Sequence, residues 1–187
     1  MTTFSNVSDL YVSMWGEPLR QAVFRTRDGF EIGVSKWRDG EGDDSLTFYR
    51  TSGASEIVLP DADERHRQEF FVACDPECDD VAESLAEVGV YSVRSGKRLG
   101  ANNTYRSSAP LWPGTKMVGY VVVNPFEGEL QSVLLSDGRH VDFLMLIPAF
   151  SGELEYASGY GVNGLARAQE VAGVSFWDPF REEVPLV

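Results

Sequence analysis

Val141-Asp-Phe-Leu-Met-Leu-Ile-Pro148, followed by Glu153-Leu-Glu-Tyr156, is the stretch on which the reading of this chain turns. The run is apolar except for Asp142, so 141–147 reads as a β-strand, with Asp142 expected to face solvent at a strand end. Immediately upstream, Asp137-Gly138 offers the positive φ angles of a tight turn. Residues 130–135 precede that turn as the other arm of a hairpin. Further back, Met117-Val-Gly-Tyr-Val-Val-Val123 is apolar at nearly every position, the pattern of a strand covered on both faces. The core of a sheet therefore lies between residues 117 and 148.

Working outward adds strands on the N-terminal side. Phe30, Ile32 and Val34 alternate with Glu31, Gly33 and Ser35, the period of a half-buried strand. Ala22-Val-Phe-Arg-Thr26 precedes them across Asp28-Gly29, a second hairpin signal. Residues 38–45, RDGEGDDS, read as a loop. Residues 46–51 and Gln68-Glu-Phe-Phe-Val-Ala-Cys74 read as further strands.

Two regions read as helical. Over 79–92, Val81, Leu85 and Val88 recur at i, i+4 and i+7, with Asp79 or Asp80 placed to cap the start. Asp80, Glu83 and Glu87 fall on the opposite, acidic face. Near the C-terminus, Leu165, Ala168 and Ala172 share a face, Asn163 is placed to cap, and Gly173 to terminate. Between the first helix and the central strands, residues 96–116 form a long irregular connection with Trp112-Pro-Gly114. Loops of that length in compact domains are often functional. Strands outnumber helices, and the helices cluster in two places. The expected class is α+β: a mixed, largely antiparallel sheet with helices packed against it, in one compact domain. Residues 1–44 are expected to be an N-terminal extension with a β-hairpin belonging to that domain, and 45–187 its main body.

Composition narrows the functional classes. The chain has 187 residues, 43% hydrophobic and 12% aromatic, enough to enclose a full core. Asp and Glu total 29 against 16 Lys and Arg, a formal net charge of −13. A nucleic-acid binder carries a basic patch that releases counterions from phosphates. Here most arginines sit beside acids, as in Asp61-Ala-Asp-Glu-Arg-His-Arg67, so nucleic acid and anionic membranes are not expected partners. Such acidity serves solubility in general, and it also suits a surface complementary to a basic protein. Residues 1–16 lack a basic start with a continuous apolar stretch, and no run is long enough to span a bilayer. A cytoplasmic location is expected.

Motifs of chemistry are few. Gly159-Tyr-Gly161-Val-Asn-Gly164 matches G-x-G-x-x-G, but no strand feeds its first glycine and only 23 residues follow it, which argues for a turn between two short helices. No G-x-S-x-G elbow exists. Cys74 and Cys78 are expected to be reduced, one ending a strand and one near a helix start. A thiol dyad with His66 or His140 would need a base beside the thiol, and both histidines read as surface residues. Zinc ribbons need a second ligand pair that the chain lacks. No cofactor and no metal is expected.

An ordered series of features resembles the suppressor of fused family. The series runs through Thr51-Ser-Gly53-Ala-Ser55, Glu69-Phe-Phe-Val-Ala-Cys74, the helix over 79–92, Pro110-Leu-Trp-Pro-Gly114 and Val118-Gly-Tyr-Val-Val-Val-Asn-Pro125. It closes with 141–148, Glu153-Leu-Glu-Tyr156 and Gly161-Val-Asn-Gly-Leu165. Roughly residues 45–175 take part. The resemblance implies a binding domain without known catalytic residues. Animal members sequester zinc-finger transcription factors in the cytoplasm, and short single-domain bacterial members are often regarded as immunity proteins against secreted toxins. By that resemblance the chain is expected to be of the short kind, without a counterpart of the second large domain.

The expected function is therefore non-catalytic protein binding, with a basic toxin domain as the candidate partner. Asp75, Glu77, Asp79, Asp80, Glu83 and Glu87 are the candidate contact residues. The alternative is a small hydrolase using a carboxylate or cysteine near 96–116, where Tyr105 and Trp112 form an aromatic lip. A scaffold pairing through exposed strand edges is a third possibility.

Overall fold

A computed structural model describes residues 4–26, 29–40, 45–60 and 62–186. Asp28 of the first turn, residues 41–44 of the 38–45 loop and Asp61 lie outside the described residues. The elements run α1 (Val7–Trp15), β1 (Arg20–Arg25), β2 (Glu31–Asp39), β3 (Leu46–Ser52), a 3-10 turn (Ala54–Glu56), β4 (His66–Cys74), α2 (Val81–Gly89) and α3 (Tyr91–Ser95). They continue β5 (Thr104–Arg106), β6 (Gly119–Val123), β7 (Ser132–Leu134), β8 (His140–Ala149), α4 (Ser151–Tyr160) and α5 (Val162–Ala172).

One mixed sheet organises the chain, in the order β1-β2-β3-β4-β8-β6-β5, with β7 also paired to β8. The first four strands form an antiparallel meander. On the other side β8 pairs antiparallel with β7 and then with β6, and β6 with β5. The two halves meet where β4 lies parallel to β8. The fold class is thus α+β, with a mixed and mostly antiparallel sheet.

Burial explains why the central strands read as continuous apolar runs. Tyr120, Val121 and Val122 of β6 and Val141, Phe143 and Leu146 of β8 are all buried, because both faces of the sheet are covered. On one face α2 packs Val81, Leu85 and Val88 against Ile32, Val34, Phe70, Val72 and Tyr120. On the other, α1 packs Val7, Leu10 and Tyr11 against Trp37, Val141 and Phe143. Beside it α4 and α5 set Leu154, Ala157, Val162 and Leu165 against Val121 and Ala149. Phe176 and Trp177, in the segment after α5, cover Phe48, Phe71 and Met145 on that same face.

Several local expectations are corrected. The half-buried reading of β2 fails at Gly33 and Ser35, which are buried as well; beside Gly33 the Ser52 side chain closes in, 2.5 Å from where a Cβ would sit. The single helix over 79–92 is two, α2 and α3, with Val90 between them at φ −106° and ψ 8°. Asp80 holds the N-cap position of α2, as expected, but in a helical conformation (φ −65°, ψ −17°) and without the expected side-chain cap hydrogen bond, while Asp79 is taken by other partners. Asn163 lies inside α5, whose N-cap is Gly161. Ala172 is exposed, and the buried face of α5 is Val162, Leu165 and Gln169. The connection 96–116 is not wholly irregular, since β5 pairs there with β6. Helix α1 was not anticipated at all. Its Asn6 cap accepts from the Asp9 amide at 2.8 Å, the ordinary N-terminal arrangement.

Candidate functional site

Helix α2 lies across β2, β3 and β4, so its outer face looks away from the sheet toward the 107–114 loop. Its approach to β2 is close: a Cβ on Gly89 would sit 3.3 Å from Ile32 Cγ2. Between helix and loop opens a cleft of about 640 Å³. Asp79, Asp80, Glu83 and Glu87 line one wall, and Tyr105, Ser107 and the Pro110-Leu111-Trp112-Pro113 segment line the other. The acidic helix face and the long loop, noted separately in the sequence, are the two walls of one cleft.

The loop wall is held by aromatic packing. Tyr105 on β5 meets the Tyr91 ring edge-on at 5.6 Å between centroids and lies 6.2 Å from that of Tyr120. Tyr120 shares a 2.5 Å hydrogen bond with Ser84 at the cleft floor. Leu111 and Trp112 are buried in the main core, and the Leu111 amide bonds to the Met117 carbonyl at 3.0 Å. The wall is therefore anchored from within.

The six acids do not form a uniform negative face. Asp79 receives Arg20 at 2.7 Å, Lys36 at 2.8 Å and the Tyr49 hydroxyl at 2.9 Å. Lys36 foremost, with Tyr49 and Arg20, holds the Asp79 carboxyl below the usual range. Lys36 is partly buried, which works against its charge, yet its bonds to Asp79 and Glu77 keep its pKa above the ordinary value. Glu77 also meets Arg38 at 2.9 Å, and Glu87 pairs with Arg94. Asp75, Asp80 and Glu83 are exposed and carry no ion pair among the described residues. Asp80 and Glu83 alone combine that freedom with a place on the cleft wall.

Other motifs resolve into structure. The Gly159–Gly164 motif is the junction of α4 and α5, with Gly161 at φ 81°. Cys74 ends β4, Cys78 precedes α2, and both are free and buried. Burial pushes both thiols up, and the backbone amides of Asp80 and Val81 only partly offset this at Cys78. His66 begins β4, so it lies roughly 26 Å along the strand from Cys74, at about 3.3 Å per residue. The thiol dyad considered from sequence is not assembled.

Three buried charged centres escaped the sequence reading. Glu69 has no solvent exposure. It accepts from the Gly53 and Ser55 amides at 2.9 Å, the Ser55 hydroxyl at 2.7 Å and the Thr51 hydroxyl at 2.5 Å. Gly53 is needed here: its φ is +107°, and a Cβ would lie 2.8 Å from the Glu31 carbonyl oxygen. Thr51-Ser-Gly53-Ala-Ser55 is thus a cradle for one carboxylate. Glu153, also without exposure, takes Arg181 in a two-pronged pair at 2.6 Å. Arg50 meets Glu129 at 2.9 Å and stacks on the Trp15 ring at 3.8 Å. All three tie segments together inside the protein.

No helix among the described residues is long and apolar enough to cross a membrane. The sequence model of the family described as "Suppressor of fused protein (SUFU)" matches residues 28–182. No curated protein matches the chain. Among solved structures, a suppressor of fused homologue from Neisseria gonorrhoeae is similar with a TM-score of 0.67 and 17% identity, over 97% of this chain and 96% of that one. A chain of the Sufu–Fu complex gives 0.71 and 14%, over 98% and 93%. Drosophila Suppressor of Fused gives 0.64 and 15%, over 81% of this chain and 42% of its own. At these identities the likeness concerns the fold.

Proposed function

Since the chain belongs to the suppressor of fused family, we propose that it is a stoichiometric protein-binding domain whose cleft between α2 and the 107–114 loop receives a basic segment of its partner. The observation that carries this reading is the cleft itself, with exposed Asp80 and Glu83 on one wall and a fixed aromatic and proline surface on the other. Unpaired carboxylates steer a cationic group toward the site and fix its register. Aromatic side chains supply contact area at little entropic cost. A related chain occurs in a complex, the Sufu–Fu complex. The similar Neisseria protein is matched over 96% of its length. The proposed role is immunity: covering the basic active site of a toxin domain.

The second reading is a hydrolase using a carboxylate of this cleft, favoured only by the gathering of Asp79, Asp80, Glu83 and Glu87 there. Its cysteine version has no support, because both thiols are buried and held protonated.

Asp80→Lys with Glu83→Lys tests the cleft. Both side chains are exposed, so the melting temperature should not change. Binding to the captured partner, measured by calorimetry, is expected to weaken by at least roughly tenfold, with slower association at low salt. Unchanged affinity would remove the cleft as the interface.

A further inference from the structure

The chain contains 2 histidines, and the parallel pairing of β4 with β8 sets them side by side, His66 opposite His140. Side chains alternate along a strand, so Asp142 shares the His140 face. His66 Nε2 lies 2.8 Å from Asp142 Oδ2, and His140 Nδ1 lies 3.5 Å from Asp142 Oδ1. The imidazole rings are 5.5 Å apart. One donor atom from each of the three residues falls within 4.8 Å of the others.

That spacing is close to a metal shell. Donors bound tetrahedrally at about 2.0–2.1 Å stand about 3.4 Å from one another. The three donor atoms already lie within 4.8 Å of one another, so closing the set needs side-chain shifts on the order of 1 Å. Two imidazoles and one carboxylate are donors for zinc and its first-row neighbours, whereas calcium and magnesium take oxygen shells. The surroundings leave the donors available. Arg139 is engaged by Glu56 and Asp137, both at 2.6 Å. Gln68, in register with Asp142, is bonded to the Leu99 carbonyl. Side-chain exposures of 24% for His66, 47% for His140 and 34% for Asp142 leave room for water at a fourth position.

We propose that His66, His140 and Asp142 form a binding site for one divalent transition-metal ion of the zinc type, clipping the parallel junction between the two antiparallel halves of the sheet. Ligands come from both β4 and β8, so the ion ties the N-terminal meander to the C-terminal strands. Binding only to the folded chain raises stability by mass action.

The test uses the full chain, stripped with chelator and titrated with cobalt(II), whose visible spectrum reports its ligands, and with zinc in competition. One ion per chain is expected, with a tetrahedral cobalt spectrum lacking thiolate charge-transfer bands. Saturating zinc should raise the melting temperature by several degrees, and calcium and magnesium should not. His66→Gln and His140→Gln should each weaken binding more than tenfold, while Cys74→Ser with Cys78→Ser leaves it unchanged. Asp142→Asn, which keeps size and shape, should also weaken it and serves if a histidine variant does not fold. Failure of the parent chain to bind one ion, binding unaltered in these variants, or binding lost with the cysteines would each overturn the proposal.

Discussion

Arg181→Met is expected to destabilise the protein by about 3–5 kcal/mol, the cost of leaving a buried partner charge uncompensated. The carboxylate it would abandon, Glu153, has no contact with solvent. Arg181 binds both its oxygens at 2.6 Å and also reaches the Pro148 carbonyl at 3.0 Å. The Val184 amide donates to the same carboxylate at 3.1 Å, and the Phe150 amide at 3.2 Å. One ion pair thus fastens the end of β8, the start of α4 and the C-terminal segment at a single point. Losing it should free that segment and expose the surface under Phe176 and Trp177. A chain of this size should melt lower by about 10 °C. Adding Glu153→Gln to Arg181→Met removes the stranded charge and should recover part of the loss. Urea unfolding followed by circular dichroism measures both variants. A loss under about 1 kcal/mol for Arg181→Met would mean that the pair is not buried in solution.

Glu69→Ala should cost a similar amount, about 3–5 kcal/mol, because it leaves a cavity and strands buried donors at once. The Gly53 and Ser55 amides and the Thr51 and Ser55 hydroxyls all point at the carboxylate. Without it the turn Ala54–Glu56 loses its tie to β4. Glu69→Gln should be far milder. Its amide oxygen can keep the Gly53 and Ser55 donors, and the Thr51 hydroxyl can turn to the Phe70 carbonyl at 3.2 Å. Burial raises the Glu69 pKa, and the hydrogen bonds from Thr51, Ser55 and Gly53 only partly oppose this. The folded chain then holds this proton more tightly than the unfolded chain does. Its contribution to stability is full below the ordinary carboxylate pKa and declines as pH rises through the window up to the raised value. Glu69→Gln should remove that slope from the stability profile. A slope that persists in the variant would contradict the assignment to Glu69.

The fold was legible where local pattern and tertiary environment agree. The apolar runs of β6 and of β8 from Phe143 onward, and the Asp137-Gly138 turn, are real, because where both faces are covered few polar positions interrupt the pattern. The spacing of Val81, Leu85 and Val88 gave α2 its buried face. Helix α1 carries the same kind of signal in Val7, Leu10 and Tyr11, but over only nine residues, too short a run for the period to stand out. Asp80 does stand at the N-cap of α2, without a side-chain bond, whereas Asp79 is drawn away by Lys36 and Tyr49, a tertiary competition that no local rule contains. Glu69, Glu153 and Arg181 look like any other charges in a chain with 29 acidic residues. Their burial follows from which segments fold over them. His66 and His140 meet only because β4 and β8 run parallel in that register, and register is not written in either strand alone. For the cleft, sequence supplied both walls but not their meeting, since strand order decides which loop faces α2.

The measurement that bears most directly on stoichiometric binding is native mass spectrometry of the partner captured from the source organism's cells by the tagged chain at low salt. A basic protein held one to one is the predicted result. It should be chemically unchanged, released as salt rises, and no longer retained by Asp80→Lys/Glu83→Lys. A partner recovered in small amounts and covalently altered, with the alteration unaffected by salt, would contradict binding as the function and point to catalysis instead.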